Sequence, residues 1–335
     1  KPVQFGKIGK KVGPDKILYH RKVFVNLSSN DYLGLSSNKN IVRESMKYAR
    51  MYGNSSSSSR LITGNSFEFH EIEDYISKKV KHAKTLVMGN GFLLNSTVIP
   101  TITENTIGKR KKFSIFSDKL NHSSINYGSN LTNQRVYRYH HLDLNHLEFL
   151  LKKCKKNEDK LILSESLFSM DGDFVDLLNL RFLANKYNAI LYIDEAHSFG
   201  IYGKNGFGIS SEGLKSEREI MVGTFSKAVG SYGAFISCSR KFFEMIVQNC
   251  PGLIYSTALP PSVVGSIMAA LKLFSKLNVQ RSRLVNNSNF LIKKLKNLNL
   301  NLGNTSSHII PIIFTNFEDC EKMRLKIFKK NFFVK

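Results

Sequence analysis

Ile220-Met-Val-Gly-Thr-Phe-Ser-Lys-Ala-Val-Gly230 is a short apolar run that breaks into Thr224, Ser226 and a single Lys227. Such a run, closed by small polar residues, reads as a core strand whose mouth lies near Thr224. A lysine placed there is partly desolvated. Desolvation lowers its pKa and frees the amine to form an imine with an aldehyde. A second stretch, Ala189-Ile-Leu-Tyr-Ile-Asp-Glu-Ala-His197, repeats the form: an apolar strand ends in Asp194, and His197 follows three residues later. Alone, a lysine after a strand is usually a surface residue. An acid on one strand end and a lysine on another are what pyridoxal 5'-phosphate (PLP) needs. The lysine holds the aldehyde as a Schiff base, and the carboxylate pairs with the pyridinium nitrogen.

Outward from these two stretches, short apolar runs predict further strands at Thr85–Met88, Phe113–Ser117, Leu161–Glu165 and Ala234–Ser237. Glu68–Val80 and Leu177–Tyr187 carry apolar residues at helical spacing. Alternation of strand and helix predicts an α/β fold, a mostly parallel sheet with helices on both faces and a ligand at the carboxyl ends of the strands. Leu259-Pro-Pro261 breaks the pattern. Beyond it, Val263–Leu277 and Arg283–Leu298 read as helices, His308–Phe314 as a strand, and Phe332-Phe-Val-Lys335 as the start of another. The expected division is an N-terminal arm (1–28), a large domain (29–262) and a small α+β domain (263–335) that stops early.

At 335 residues the chain buries a large core. Its opening lacks the apolar core of a secretory signal, no apolar run approaches the roughly 20 residues of a membrane helix, and the first residue is Lys1 rather than Met. A trimmed or partial chain that engages no membrane is expected. The four cysteines are scattered without a CxxC pair, which points away from zinc or a redox dithiol and suits the reducing cytoplasm. The net charge of +23 is mostly lysine spread along the whole chain. Short clusters such as Lys109-Arg-Lys-Lys112 and Lys152-Lys-Cys-Lys-Lys156 read as solvated faces rather than a nucleic-acid surface. Attraction of an acidic substrate carrier is a third reading.

Met88-Gly-Asn-Gly-Phe-Leu-Leu-Asn95 joins a strand to a helix. By itself this is an ordinary glycine turn; beside Lys227 and Asp194 it reads as a phosphate cradle. His122, in a polar loop after a strand, suits stacking on a cofactor ring, bonding a substrate carboxylate, or plain solvent exposure, with Asp118 and Asn121 as candidates to orient it. Ser169 suits donation to a cofactor oxygen, and Asp171-Gly172 reads as a turn rather than a metal site. Glu165 and Glu195 do not read as an acid/base pair, and no GxSxG elbow is present.

The assembled motifs resemble the α-oxoamine synthases, PLP enzymes of fold type I. The resemblance covers nearly the whole chain, from Asn26-Leu-Ser-Ser-Asn-Asp-Tyr-Leu-Gly-Leu35 through Arg60-Leu-Ile-Thr-Gly64, Asp118-Lys-Leu-Asn-His122, Phe168-Ser-Met-Asp-Gly-Asp173, Asp194-Glu-Ala-His197 and Thr224-Phe-Ser-Lys227 to His308-Ile-Ile-Pro311. It implies Lys227 as the covalent anchor and proton carrier, Asp194 on the pyridinium, and His122 on the ring face. It implies Ser169 and His197 on the ring-hydroxyl side. Gly91, Phe92 and Thr224 then lie at the phosphate and Asn30 at the amino-acid carboxylate. Ser256 and Thr257 serve the neighbouring subunit's phosphate, in a homodimer with its active site at the interface. Within the family, Ser28–Gly34 and Ile254-Tyr-Ser-Thr-Ala-Leu-Pro-Pro261 are most similar to one branch. That branch condenses L-alanine with a pimeloyl thioester, on coenzyme A or an acyl carrier protein, to give 8-amino-7-oxononanoate for biotin. Sister branches use glycine or serine, and some homologous subunits are non-catalytic. Where the family has a glycine-rich run this chain reads Asn54-Ser-Ser-Ser-Ser-Ser59, and serine tolerates φ > 0 less well. A family substrate-binding arginine near the start, and a threonine and an arginine near the end, have no counterpart. This form is therefore expected to be less active than a chain extended at both ends, or inactive.

Overall fold

The computed structural model describes residues 10–104, 112–155 and 157–334. Of the basic clusters named above, residues 109–111 and Lys156 lie outside this set, as do residues 1–9 and Lys335.

The chain opens with an antiparallel pair, β1 (Lys16–Tyr19) and β2 (Lys22–Asn26), followed by helices α1 (Lys39–Tyr52) and α2 (Phe67–Val80). Strand–helix alternation then builds the body. β3 (Lys84–Met88) leads to α3 (Gly91–Glu104), β4 (Phe113–Asp118) to α4 (Ser123–Asn130), and β5 (Arg135–Tyr139) to α5 (Leu144–Lys153). β6 (Asp159–Glu165) leads to α6 (Leu177–Lys186), and β7 (Ile190–Asp194) is followed, with no α-helix between, by β8 (Glu219–Thr224) and β9 (Ala234–Cys238). The last stretch holds α7 (Arg240–Asn249), α8 (Pro251–Ile254), α9 (Pro261–Leu273), α10 (Asn278–Asn297), α11 (Phe317–Lys329) and β10 (Phe332–Phe333).

Seven strands form one sheet in the order β3-β9-β8-β7-β6-β4-β5, and only β9 runs antiparallel to its neighbours. Every residue of β4, β7, β8 and β9 is buried, which is why these strands read as mostly apolar segments rather than alternating ones, with the serines of β4 and β9 buried among them. Alternate side chains nevertheless go to opposite faces. Ile220 and Val222 pack with Leu94 and Val98 of α3 and Ile246 of α7. Met221 packs on the other face with Ile72 of α2 and Ile267 of α9, while Ile162 and Leu191 meet Leu151 of α5 and Leu180 of α6. Asp143 and Asp176 cap α5 and α6, accepting from His146 N (2.9 Å) and Asn179 N (3.1 Å). β10 pairs in parallel with β2, so near-terminal segments share a three-stranded sheet sealed by Tyr19, Phe24, Phe328 and Phe333.

Three expectations change. His308–Phe314 forms no strand. Its backbone is held by single contacts instead of a ladder: Ile309 N donates to Ser307 Oγ, Ile313 N to Asn301 O, and Thr305 Oγ1 to Ile309 O. The helix expected from Arg283 begins at Asn278, and the one expected to reach Leu277 gives way to a 3₁₀ turn at Phe274–Lys276. The serine run takes the left-handed region at one residue, Ser57 (φ 51°). Ser56 Oγ pins the run by donating to Leu259 O at 2.8 Å.

Candidate active site

β4, β6, β7 and β8 end at one cavity of ≈ 220 Å³. Gly91, Phe92, His122, Asp194, His197, Thr224 and Lys227 all line it, so seven of the residues singled out in the sequence converge. Ser169, half-buried, and Asn30, exposed, do not line it. Ser256 and Thr257 line a separate small cavity with Arg60 and Met88.

Asp194, the last residue of β7, is 7% exposed. Its Oδ2 accepts from Asn95 Nδ2 at 2.9 Å and its Oδ1 from Ala196 N at 2.9 Å. Tyr192, two residues earlier and on the same strand face, donates its hydroxyl to Asn95 Oδ1 at 2.6 Å. That bond fixes the amide so that its NH₂ faces Asp194 and Ser124 Oγ (3.0 Å). Close packing delivers Asn95: a Cβ on Gly128 of α4 would meet the Asn95 carbonyl at 2.3 Å, so α3 and α4 approach only because that residue is glycine.

His122 caps α4, its Nδ1 facing Ser124 Oγ at 2.7 Å. Burial lowers its pKa, Asp194 opposes that shift, and Lys227 adds to it. The expected orienting residues point elsewhere. Asp118 accepts from Leu120 N and from His141, and Asn121 donates to Ser117 Oγ and Leu163 O. The ring is set by Ser124 two positions on, because Asp118 and Asn121 are already engaged elsewhere. Its backbone N–H donates to Glu165 Oε1 at 2.5 Å. Glu165 lines the cavity and pairs in register with Asp194. Burial first, then the Asp194 charge, pushes its carboxyl up to about 8. Glu195 plays a different part: wholly buried, it accepts from Ile209 N, Ser210 N and Ser166 Oγ and ties down the loop after β7.

Lys227 Nζ lies 2.8 Å from His197 Nε2. Burial lowers the lysine pKa, with Asp194 and Glu165 pulling it back up. Burial and then Lys227 hold the His197 pKa well below its ordinary value, so that ring is neutral. Tyr32 OH stands 2.7 Å from His197 Nδ1 and 3.0 Å from Asn30 Oδ1, which links Asn30 to the site at second hand. Thr224 Oγ1 donates to Gly233 O at 2.9 Å and lies 2.7 Å from Ser226 Oγ. Asn90 Oδ1 accepts from Leu93 N, which leaves the Gly91 and Phe92 amides at the first turn of α3, and a Cβ on Gly91 would meet nothing within 4 Å.

These features fit PLP. Asp194 is a buried carboxylate on a cavity wall that forms no ion pair among the described residues, and a pyridinium nitrogen supplies the missing cation. The amine of Lys227 and the amides at the start of α3 complete the set. Asn95, Tyr192, Ser124 and Tyr32 belong to the site although the motifs assign none of them a role of its own, and Glu165, set aside as an acid/base residue, also lines the cavity. Tyr192 and Asn95 carry faint signals: Tyr192 shares Asp194's strand face, and Asn95 lies one helical turn after Gly91.

Beside the site, His141 bridges Asp118 (2.9 Å) and Asp173 (3.1 Å) and clamps the turn at Gly172 to β4. Burial opposes its charge, but hydrogen bonds to the two carboxylates prevail and push its pKa up to about 10. A raised pKa stabilises the fold fully below the ordinary histidine value of 6.5, and that contribution disappears as pH rises through about 10. The melting-temperature gap between wild type and His141→Gln is therefore expected to close between about pH 6 and about pH 10. A gap that is constant across that range removes the charged clamp.

The family model for aminotransferases of class I and II matches residues 22–331. A protein of Paramagnetospirillum magneticum described as "Putative 8-amino-7-oxononanoate synthase" is 40% identical over 290 residues, covering 86% of this chain and 73% of the relative. Among solved structures, a serine palmitoyltransferase from S. paucimobilis with a bound PLP–myriocin aldimine superposes with a TM-score of 0.91 at 25% identity, covering 98% of this chain and 85% of that one. The 8-amino-7-oxononanoate synthase from Francisella tularensis superposes with a TM-score of 0.79 at 26% identity, covering 93% and 88%. The chain thus belongs to the aminotransferase class I and II family and, within it, to the α-oxoamine synthases, PLP-dependent acyltransferases of fold type I.

Proposed function

We propose that the chain condenses L-alanine with a pimeloyl thioester, on coenzyme A or an acyl carrier protein, releasing the free thiol and then carbon dioxide and giving 8-amino-7-oxononanoate for biotin biosynthesis. The observation that carries the substrate assignment is the 40% identity to the Paramagnetospirillum protein of that name. The reaction class rests on Lys227, His197 and Asp194 opening on one cavity.

When bound, PLP supplies an electron sink for the negative charge that develops at the amino-acid α-carbon. Asp194 keeps the ring nitrogen protonated, which makes that sink effective. Asn95 and the Ala196 amide hold its carboxylate in place. His122, fixed by Ser124, lines the cavity and would exclude water from the bound ring. Lys227 Nζ would hold the cofactor, and as a free amine it would take the α-proton of the amino acid. Its lowered pKa suits that task, because a base must be unprotonated to act. Asn30 is the proposed partner of the substrate carboxylate, and Ser169 that of the ring hydroxyl. Ser256 and Thr257 lie outside their own chain's cofactor cavity, which supports their serving the partner in a homodimer. All four cysteines are free thiols, in keeping with a cytoplasmic setting.

A second reading, a serine-using sister enzyme, draws on the palmitoyltransferase superposition. Titrating the PLP-loaded chain with L-alanine, glycine and L-serine, and then adding pimeloyl-coenzyme A or palmitoyl-coenzyme A, separates the two. The expected result is a spectral response saturating at the lowest concentration with L-alanine, and a product of the mass of 8-amino-7-oxononanoate. A preference for serine with the longer acyl chain moves the assignment to the sister enzyme.

A further inference from the structure

Asn30, Tyr32, His197 and Lys227 form one hydrogen-bond chain from the surface to the cavity. Its direction follows from the chemistry of its members. An amide oxygen only accepts, so Tyr32 spends its single hydroxyl proton on Asn30 Oδ1 at 3.0 Å. Tyr32 then has only lone pairs to offer His197 Nδ1 at 2.7 Å, and Nδ1 must be the donor. A neutral imidazole protonated at Nδ1 carries a bare lone pair on Nε2, and Lys227 Nζ donates to it at 2.8 Å. We propose that Asn30 and Tyr32 form a tautomer lock, two positioning residues that keep the His197 proton on Nδ1 so that Nε2 presents a lone pair to the free amine of Lys227.

The surroundings reinforce the lock. The Tyr32 ring meets His308 edge-on at 4.1 Å, and Tyr202 OH lies 3.2 Å from His308 Nδ1, so the phenol is wedged in one orientation. Burial raises the Tyr32 pKa, which keeps the hydroxyl protonated and hence a donor.

The lock consists of the chain's own hydrogen bonds and does not depend on which amino acid or thioester is used. Its test is a long-range ¹H–¹⁵N correlation spectrum of the full, PLP-free chain labelled at histidine, with His197 assigned by comparison with His197→Gln. The expected result is a protonated Nδ1 and an unprotonated Nε2. In Tyr32→Phe the Nε2–H form is expected to appear at the expense of Nδ1–H. Asn30→Asp, which keeps an acceptor at that position, retains the wild-type tautomer. A wild-type chain carrying the proton on Nε2 overturns the inference, whether or not Tyr32→Phe folds. So does a folded Tyr32→Phe with an unchanged His197 pattern. A failed condensation assay alongside the expected tautomer pattern counts against the proposed function alone.

Discussion

Lys227→Ala is expected to lower turnover by roughly 10³-fold or more and to remove the covalent link to the cofactor. Position dictates this outcome. Lys227 is the lysine among the residues lining the cavity, it follows the end of β8 by three residues, and burial depresses its pKa. Lys227→Arg is the sharper control. Arginine keeps the positive charge but stays protonated and cannot serve as the nucleophile. If Lys227 acted only as a charge, Arg would restore function; as an anchor, it does not. Borohydride reduction of the PLP-loaded chain followed by peptide mass mapping reads the outcome. Cofactor fixed to a lysine other than Lys227 in the wild type defeats the assignment.

Asp194→Asn is expected to lower kcat by about 10²–10³-fold while PLP still binds. The substituted amide fits the same space, and the Ala196 N–H still finds an oxygen. What is lost is the negative charge facing the ring nitrogen, and with it the bias toward the protonated ring. Asn95, held by Tyr192, then confronts a second amide, so one of the two must turn away. Kd from cofactor titration and kcat from single-turnover measurement separate the two effects. A large loss of binding with an unchanged kcat per bound cofactor makes Asp194 a binding residue instead.

Much of this site is legible in the sequence because a core strand advertises itself. The run Ile190–Asp194 has the ends of β7, and Ile220–Gly223 those of β8 to within a residue, because an unbroken apolar run that stops at a polar residue suits a buried strand and little else. The same rule misfires at His308–Phe314, an equally apolar segment held by isolated contacts. It also misses β5, an edge strand whose apolar residues are interrupted by Arg135 and Arg138. Side-chain partners are harder still. Asn95 reaches Asp194 across 99 positions, and Tyr32 reaches His197 across 165, and no local pattern encodes such a meeting. His122 fails in the opposite sense: its true partner stands two positions away, while Asp118 and Asn121 have the chemistry to orient it but are engaged elsewhere.

The pairing of β2 with β10 bears on how the molecule assembles. Bringing Val25 to Phe332 closes nearly the whole chain into a loop, an entropic cost that short-range contacts never meet. In the seven-stranded sheet the longest closure, β3 with β9, is about half as long. Asn30 and Tyr32 follow β2 by only a few positions, so their placement is coupled to the distant strand. The cavity floor at Asp194 and Lys227 is built without the β2–β10 closure. The segment that orients His197 is instead tied to a strand about three hundred positions further along the chain.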